Sequence, residues 1–179
     1  MDNGLLPGRY AKALYKFADE KGQTAKMYDL MQYLVVAFDN NHDLQTIIAN
    51  PFVSTDQKTN LVDTAAGEQN DILKDFVKLL AQNNRLDIMR GVALAYTRLY
   101  RMENHIHLVD ITSAAPLSDA DRKRLTDMIE KHIGNATAQY TFSVNPELIG
   151  GFVIKIDNES LDASVRNELS QLRRALITG

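Results

Sequence analysis

The spacing of apolar residues changes once along this 179-residue chain, near His105, and that change limits what it can fold into. Before it, apolar side chains recur every three to four residues, the period of an amphipathic helix. After it, short runs alternate residue by residue, the period of a half-buried strand, between two further helical stretches. One layer type does not accommodate both patterns. The expectation is therefore an α+β protein in two domains: residues 1–104 as an antiparallel six-helix bundle, and 105–179 as a small α/β domain with a three- to four-stranded sheet.

In the first part, Tyr10, Ala13, Leu14, Phe17 and Ala18 share one helical stripe, and Gly22 is a natural stop. A second helix carries Met27, Leu30, Met31, Leu34, Val35 and Phe38. A short third holds Leu44, Ile47 and Ile48 and closes at Asn50-Pro51, because a residue before proline disfavours the helical conformation. Ser54 with Gln57 forms a capping box opening a fourth helix with Leu61, Val62 and Ala65. Asp71 is the expected cap of a fifth, in which Leu73, Phe76, Val77 and Leu80 share a face flanked by Ile72 and Leu79. A sixth runs from about Leu86 through Met89, Val92, Ala93, Tyr96, Leu99 and Tyr100. Core packing accounts for any of these residues. The first and fifth helices, however, are apolar over a wider arc than one buried face requires, which suits a groove that receives an amphipathic helix from another chain.

In the second part, Ile106–Thr112 reads as a strand, and the slip at Leu108-Val109 fits a bulge or burial on both faces. Ser118 with Asp121 caps a helix whose face holds Leu125, Met128, Ile129 and His132, ended by Gly134-Asn135. Tyr140, Phe142 and Val144 alternate in one strand, and Phe152, Ile154 and Ile156 in another. Gly150-Gly151 sits at the start of the latter, where a bulge or a close backbone approach demands glycine. Asp162 or Ser164 caps a terminal helix with Val165, Leu169, Leu172 and Leu176 on one stripe and Arg166, Arg173 and Arg174 off it.

Little in the chain points to bond chemistry. There is no cysteine, so disulfides and thiolate metal sites are excluded. His105 and His107 would share a strand face, but Asp110 points to the other, short of the ligands a zinc site needs. His132 on an apolar face reads as a packed or hydrogen-bonded histidine, and His42 lies in a polar turn as a candidate cap. No serine stands in a G-x-S-x-G elbow, and Gly150-Gly151 precedes a strand, unlike a dinucleotide fingerprint. No catalytic residue and no cofactor is expected. The net charge of −3 supplies no basic field for a phosphate backbone. No apolar run approaches the ~18 residues that span a bilayer, and Met1-Asp2-Asn3-Gly4 lacks a signal peptide's pattern, so membrane association is expected only through a partner.

Three stretches carry a family resemblance. The run Val144–Asp157, with Asn145-Pro146, Leu148-Ile149-Gly150-Gly151 and the strand after it, followed by Leu161–Arg166, resembles the C-terminal signature of the delta subunit of F-type ATP synthases, the bacterial counterpart of the mitochondrial oligomycin-sensitivity-conferring protein. Arg9–Tyr15 is similar to the tyrosine-alanine-lysine-alanine opening of that family, and Leu79–Leu86 to its asparagine-rich turn between the fifth and sixth helices. The resemblance implies a non-catalytic subunit of the peripheral stalk, or stator, that links the catalytic head to the membrane-anchored b subunits so that proton-driven rotation is coupled to ATP synthesis. It implies that the first and fifth helices hold the N-terminal helix of an alpha subunit, with Ala11, Ala13, Leu14, Phe17, Leu73, Phe76, Val77 and Leu80 as candidate contacts. It implies that the C-terminal domain meets the b subunits, for which Val165, Leu169, Leu172 and Leu176 are candidates, and a peripheral place on the cytoplasmic face of the inner membrane. The alternative is a two-domain helical adaptor or nucleic-acid-binding regulator.

Overall fold

The computed structural model describes residues 5–178 except 51, 68, 69 and 135, and of 172 and 175–178 it describes the backbone alone. The chain divides into two compact units, Met1–Asn104 and His105–Gly179.

The first unit is helical: α1 (Leu5–Glu20), α2 (Thr24–Asn40), α3 (His42–Ala49), α4 (Thr55–Ala65), α5 (Asp71–Gln82) and, after a 3-10 turn at Leu86–Ile88, α6 (Met89–Glu103). Helix α1 begins a turn earlier than the apolar stripe suggests. Pro7 falls in its first turn, where a missing N–H costs no hydrogen bond, and its ring lies against Gly91 of α6, where an added Cβ would stand 3.1 Å from Pro7 Cγ. Gly22 ends α1 at φ 64°, and the Gln23 N–H donates to the Ala18 carbonyl at 2.8 Å. Both halves of the Ser54–Gln57 capping box are formed. At α5 the cap is Asn70 in place of Asp71: its Oδ1 accepts from the Ile72 and Leu73 N–H groups at 2.9 and 3.2 Å. Asp71 instead takes the first helical position, where a carboxylate favours the positive end of the helix dipole.

Helices α1 and α2 pack chiefly on α6. Met27, Met31, Leu34, Val92, Ala93 and Tyr96 are closed from solvent between them. Tyr96 donates from its hydroxyl to the Thr24 carbonyl at 3.2 Å and sits 5.7 Å, centroid to centroid, from Tyr15. Tyr28 stacks on Tyr100 at 4.4 Å.

The second unit is β1 (Ile106–Ser113), α7 (Asp119–Ile133), β2 (Thr137–Val144), β3 (Gly151–Ile156), β4 (Glu159–Ser164) and α8 (Val165–Thr178). The strand order is β2-β1-β3-β4. Strands β1 and β2 are parallel and joined through α7, whereas β1–β3 and β3–β4 are antiparallel. The slip at Leu108-Val109 is no bulge, since the register with β2 runs unbroken from Ile106–Thr137 to Ser113–Val144. Val109 faces the core and Leu108 the opposite surface. The core is Val109, Ile111, Ile129 and Ile154, with Leu125, Ile133, Tyr140, Phe142, Phe152 and Ile156 around it. His132 and Met128 are not part of that packing: both are exposed beside a depression of about 310 Å³ with Ile154, Ile156 and Leu161, because α7 turns Leu125, Ile129 and Ile133 to the sheet. Ser164 caps α8, its Oγ accepting from the Asn167 N–H, while Asp162 accepts from the Ser164 N–H.

Gly150 and Gly151 are needed for different reasons. Gly151 holds φ 75°, and a Cβ there would run into the Ala163 carbonyl of β4. A Cβ on Gly150 would stand 2.9 Å from Val165 Cγ2 at the start of α8. The pair lets the β3–β4 hairpin and the terminal helix close together.

Gly151→Ala is therefore expected to cost the second unit about 2 kcal/mol or more, read from a denaturant titration of the full chain. A second expectation concerns pH. Burial pushes the Tyr96 hydroxyl above its ordinary value of 10.0, with Tyr15 and Tyr100 adding to the shift. In the folded chain Tyr96 keeps its proton where the unfolded chain loses it, so stability is intact below pH 10 and falls as pH rises above it. Tyr96→Phe should flatten that alkaline decline in melting temperature.

Candidate docking surfaces

Of the eight residues proposed for the α1–α5 groove, Ala11, Leu14, Leu73, Val77 and Leu80 point into the helical unit's own core, each 1% exposed or less. They are not open to a partner while the unit stays closed. Phe76 is 8% exposed, and Ala13 and Phe17 face solvent, Phe17 at 41%. The physical reason is geometric: Ala11, Leu14 and Ala18 form one side of α1, and Tyr10, Ala13 and Phe17, at i, i+3 and i+7, form a second stripe beside it.

On α5 the same split occurs. Leu73, Val77 and Leu80 go inward, whereas Ile72, Phe76 and Leu79 form a stripe that climbs from buried to 45% exposed at Leu79. The two stripes meet edge-on where the Tyr10 and Phe76 rings stand 6.3 Å apart at 73°. Tyr10 and Phe76 thus meet across the seam of α1 and α5, and Phe17 on α1 and Leu79 on α5 are exposed. Lys21 lies over the Phe17 ring, and Lys74 and Lys78 are exposed on α5. Leu79 stood in the sequence as a flank of the fifth helix; its exposure shows which flank is outward.

A second depression was not anticipated. About 700 Å³ opens between α2 and α6, lined by Leu30, Tyr33, Val36 and Leu94, with Lys26, Asp29 and Arg101 at its rim. The signal was present: Tyr33 and Val36 sit three apart, off the main apolar stripe of α2, and both are exposed.

In the second unit Val165 and Leu169 are exposed on the first turns of α8. The side chains of Leu172 and Leu176 lie outside the described residues. Arg166 reaches Glu147 at 3.5 Å across the loop before β3.

Polar clusters serve structure. His107 Nδ1 lies 2.6 Å from Asp157 Oδ2, and Asp157 Oδ1 also accepts from the Leu108 N–H, pinning the β3–β4 turn to β1. His105 is exposed. Among the described residues no group of three or more His, Asp or Glu is placed to hold a metal ion, and no helix is long and apolar enough to cross a membrane.

The architecture is thus an α+β protein with a six-helix unit, a four-stranded mixed-sheet unit and apolar helix faces left open. The family model of the ATP synthase delta (OSCP) subunit matches residues 6–176. The ATP synthase subunit delta of Parabacteroides distasonis is 35% identical over 178 residues, covering 99% of this chain and 98% of the relative. That of Lactiplantibacillus plantarum is 29% identical, with the same coverage of both chains. The fold is also that of a chain in the cryo-electron microscopy structure of the Toxoplasma gondii mitochondrial ATP synthase hexamer, with a TM-score of 0.69 and 24% identity over 96% of this chain and 97% of that one. This chain belongs to the ATP synthase delta (OSCP) family, a non-catalytic component of the peripheral stalk of F-type ATP synthases.

The placement of α1 and α5 residues separates surface from core experimentally. Phe17→Asp and Leu79→Asp should each change the stability of the helical unit by less than about 1 kcal/mol, whereas Val77→Asp, which buries a charge, should unfold it. Helical circular dichroism against temperature distinguishes the two outcomes.

Proposed function

We propose that this chain joins the catalytic head to the b subunits, so that rotation driven by proton flow strains the catalytic sites instead of turning the head. The helical unit receives the N-terminal helix of an alpha subunit along α1 and α5. The second unit meets the C-terminal end of the b subunits, with Val165 and Leu169 at the contact, and the chain sits on the cytoplasmic face of the inner membrane through these partners.

The observation that supports the reading is the second apolar stripe that α1 and α5 each carry beside the buried one, exposed at Phe17 and Leu79. Helix-in-groove binding lays the apolar face of a guest helix on an apolar surface of its host. Tyr10, Ala13 and Phe17 on α1 and Phe76 and Leu79 on α5 offer such a surface, and the buried Leu14, Leu73, Val77 and Leu80 beneath hold it in place. Small Ala13 leaves room for a guest backbone to approach closely. The work asked of such a subunit is tight grip and stiffness, which the one shared core of the six helices supports.

A synthetic peptide of the alpha N-terminal helix should bind the full chain saturably at physiological salt. Phe17→Asp combined with Leu79→Asp should weaken that binding at least about tenfold while the fold persists. Isothermal titration calorimetry reads both. Absence of peptide binding, with salt-sensitive binding of duplex DNA in its place, would refute the stalk reading in favour of a nucleic-acid regulator.

A further inference from the structure

The chain blunts one edge of its sheet with its own side chains and leaves the other edge open. With the strand order β2-β1-β3-β4, the edges are β2 and β4. An edge strand presents main-chain N–H and C=O groups with which another extended chain can pair, and proteins protect such edges with charges, short strands, prolines or bulges. Strand β4 is protected. Its six residues include Glu159 and Asp162, both exposed. The Val165 N–H bonds the Gly150 carbonyl, so by alternation the main-chain groups of Asp162 and Ser164 face outward. There Asp162 Oδ1 accepts from the Ser164 N–H at 3.0 Å, and the Asp162 carbonyl accepts from Asn167 Nδ2 at 3.3 Å.

Strand β2 has none of these devices. Its residues, Thr137–Val144, include no charge and no proline, its register has no bulge, and among the described residues it pairs with β1 alone. The register also fixes which groups are open. The Thr137 N–H donates to the His105 carbonyl at 3.0 Å and the Asn145 N–H to the Ser113 carbonyl at 2.8 Å. Alternate residues of a strand bond to the same neighbour. Thr137, Gln139, Thr141 and Ser143 therefore bond to β1, and Ala138, Tyr140, Phe142 and Val144 turn their N–H and C=O groups outward.

This open edge is complementary to itself. Two copies of β2, antiparallel about a two-fold axis at Thr141, set Ala138 opposite Val144 of the second copy and Tyr140 opposite its Phe142. All four residues have outward main-chain groups, so each opposed pair exchanges two hydrogen bonds. Tyr140 and Phe142 share a face, their rings stacked 6.3 Å apart, and they meet the same two rings of the copy, a favourable cross-strand pairing. On the other face Thr141 meets Thr141, and Gln139 meets Ser143. No charge stands opposite a like charge. The pairing uses up both open edges and leaves the protected β4 strands outermost, so it closes at two chains.

We propose that free chains of this protein associate in pairs through β2, joining their sheets into one. Sedimentation velocity of the full chain from about 1 to 300 µM tests this, with the dimer fraction expected to grow by mass action. Over the same range the amides of Ala138, Tyr140, Phe142 and Val144 should slow in hydrogen exchange. Thr141 is exposed, and Thr141→Lys places two ammonium groups face to face on the axis. It should weaken association at least about fivefold, as should Thr141→Glu. An equimolar mixture of the two variants should restore association, which misfolded variants would not do. Ser160→Glu, on β4 opposite Lys155, should associate like the parent. A parent that stays monomeric throughout overturns the proposal, and so does parent-like association of Thr141→Lys or a mixture no better than its components. Protection of those four amides only when a peptide of the alpha or b subunit is added would give the edge to another chain and overturn pairing with a second copy. Each of these outcomes is independent of the alpha-peptide titration that tests the stalk reading.

Discussion

Helix α6 is the post on which the helical unit depends. Its Gly91 lies against Pro7 of α1, Tyr96 stands beside Tyr15 of α1 and donates to the Thr24 carbonyl of α2, and Met89, Val92 and Ala93 are closed from solvent. Because α6 absorbs the inner sides of both α1 and α2, α1 has only its remaining side to offer α5, and the two meet lightly, through Tyr10 and Phe76. The exposure of Phe17 on α1 is therefore a consequence of which face α1 buries.

The second unit solves a different problem. Four strands with helices give it a core of its own, but the mixed topology leaves β4 at an edge. Closure at the sheet's end relies on Gly151 passing beneath the Ala163 carbonyl and on Val165 fitting over Gly150. That tight passage fixes the loop before β3, in which Ile149 stands at φ 68°.

Most of this architecture was legible from periodicity, and the reason is that each domain buries one face per element. The six helices, the capping box at Ser54 and the strands with Tyr140 and Ile154 all follow from patterns of three to four or of two. Strand β4 was not legible, because Glu-Ser-Leu-Asp-Ala-Ser at an exposed edge has almost no apolar alternation to detect; its identity comes from pairing with β3. The cap of α5 was placed one residue late, since Asn70 and Asp71 are both good capping residues and only the backbone geometry chooses. His132 was read as packed or hydrogen-bonded from its spacing, but α7 turns Leu125, Ile129 and Ile133 to the core and leaves it exposed.

The division between core and surface on α1 and α5 was beyond what spacing alone decides. A helix apolar over a wide arc has two adjacent stripes, and each is a valid continuation of the same period. Leu14 and Phe17 differ by three residues, about 300° of turn, so a rotation of α1 by one stripe would exchange their roles without altering the pattern. What settles the rotation is long-range: Pro7 lies against Gly91 of α6, and Tyr15 packs beside Tyr96 and Tyr100. Those contacts join residues some eighty positions apart, and no local window contains them. Which side of α1 stays exposed is thus set by which side the core accepts.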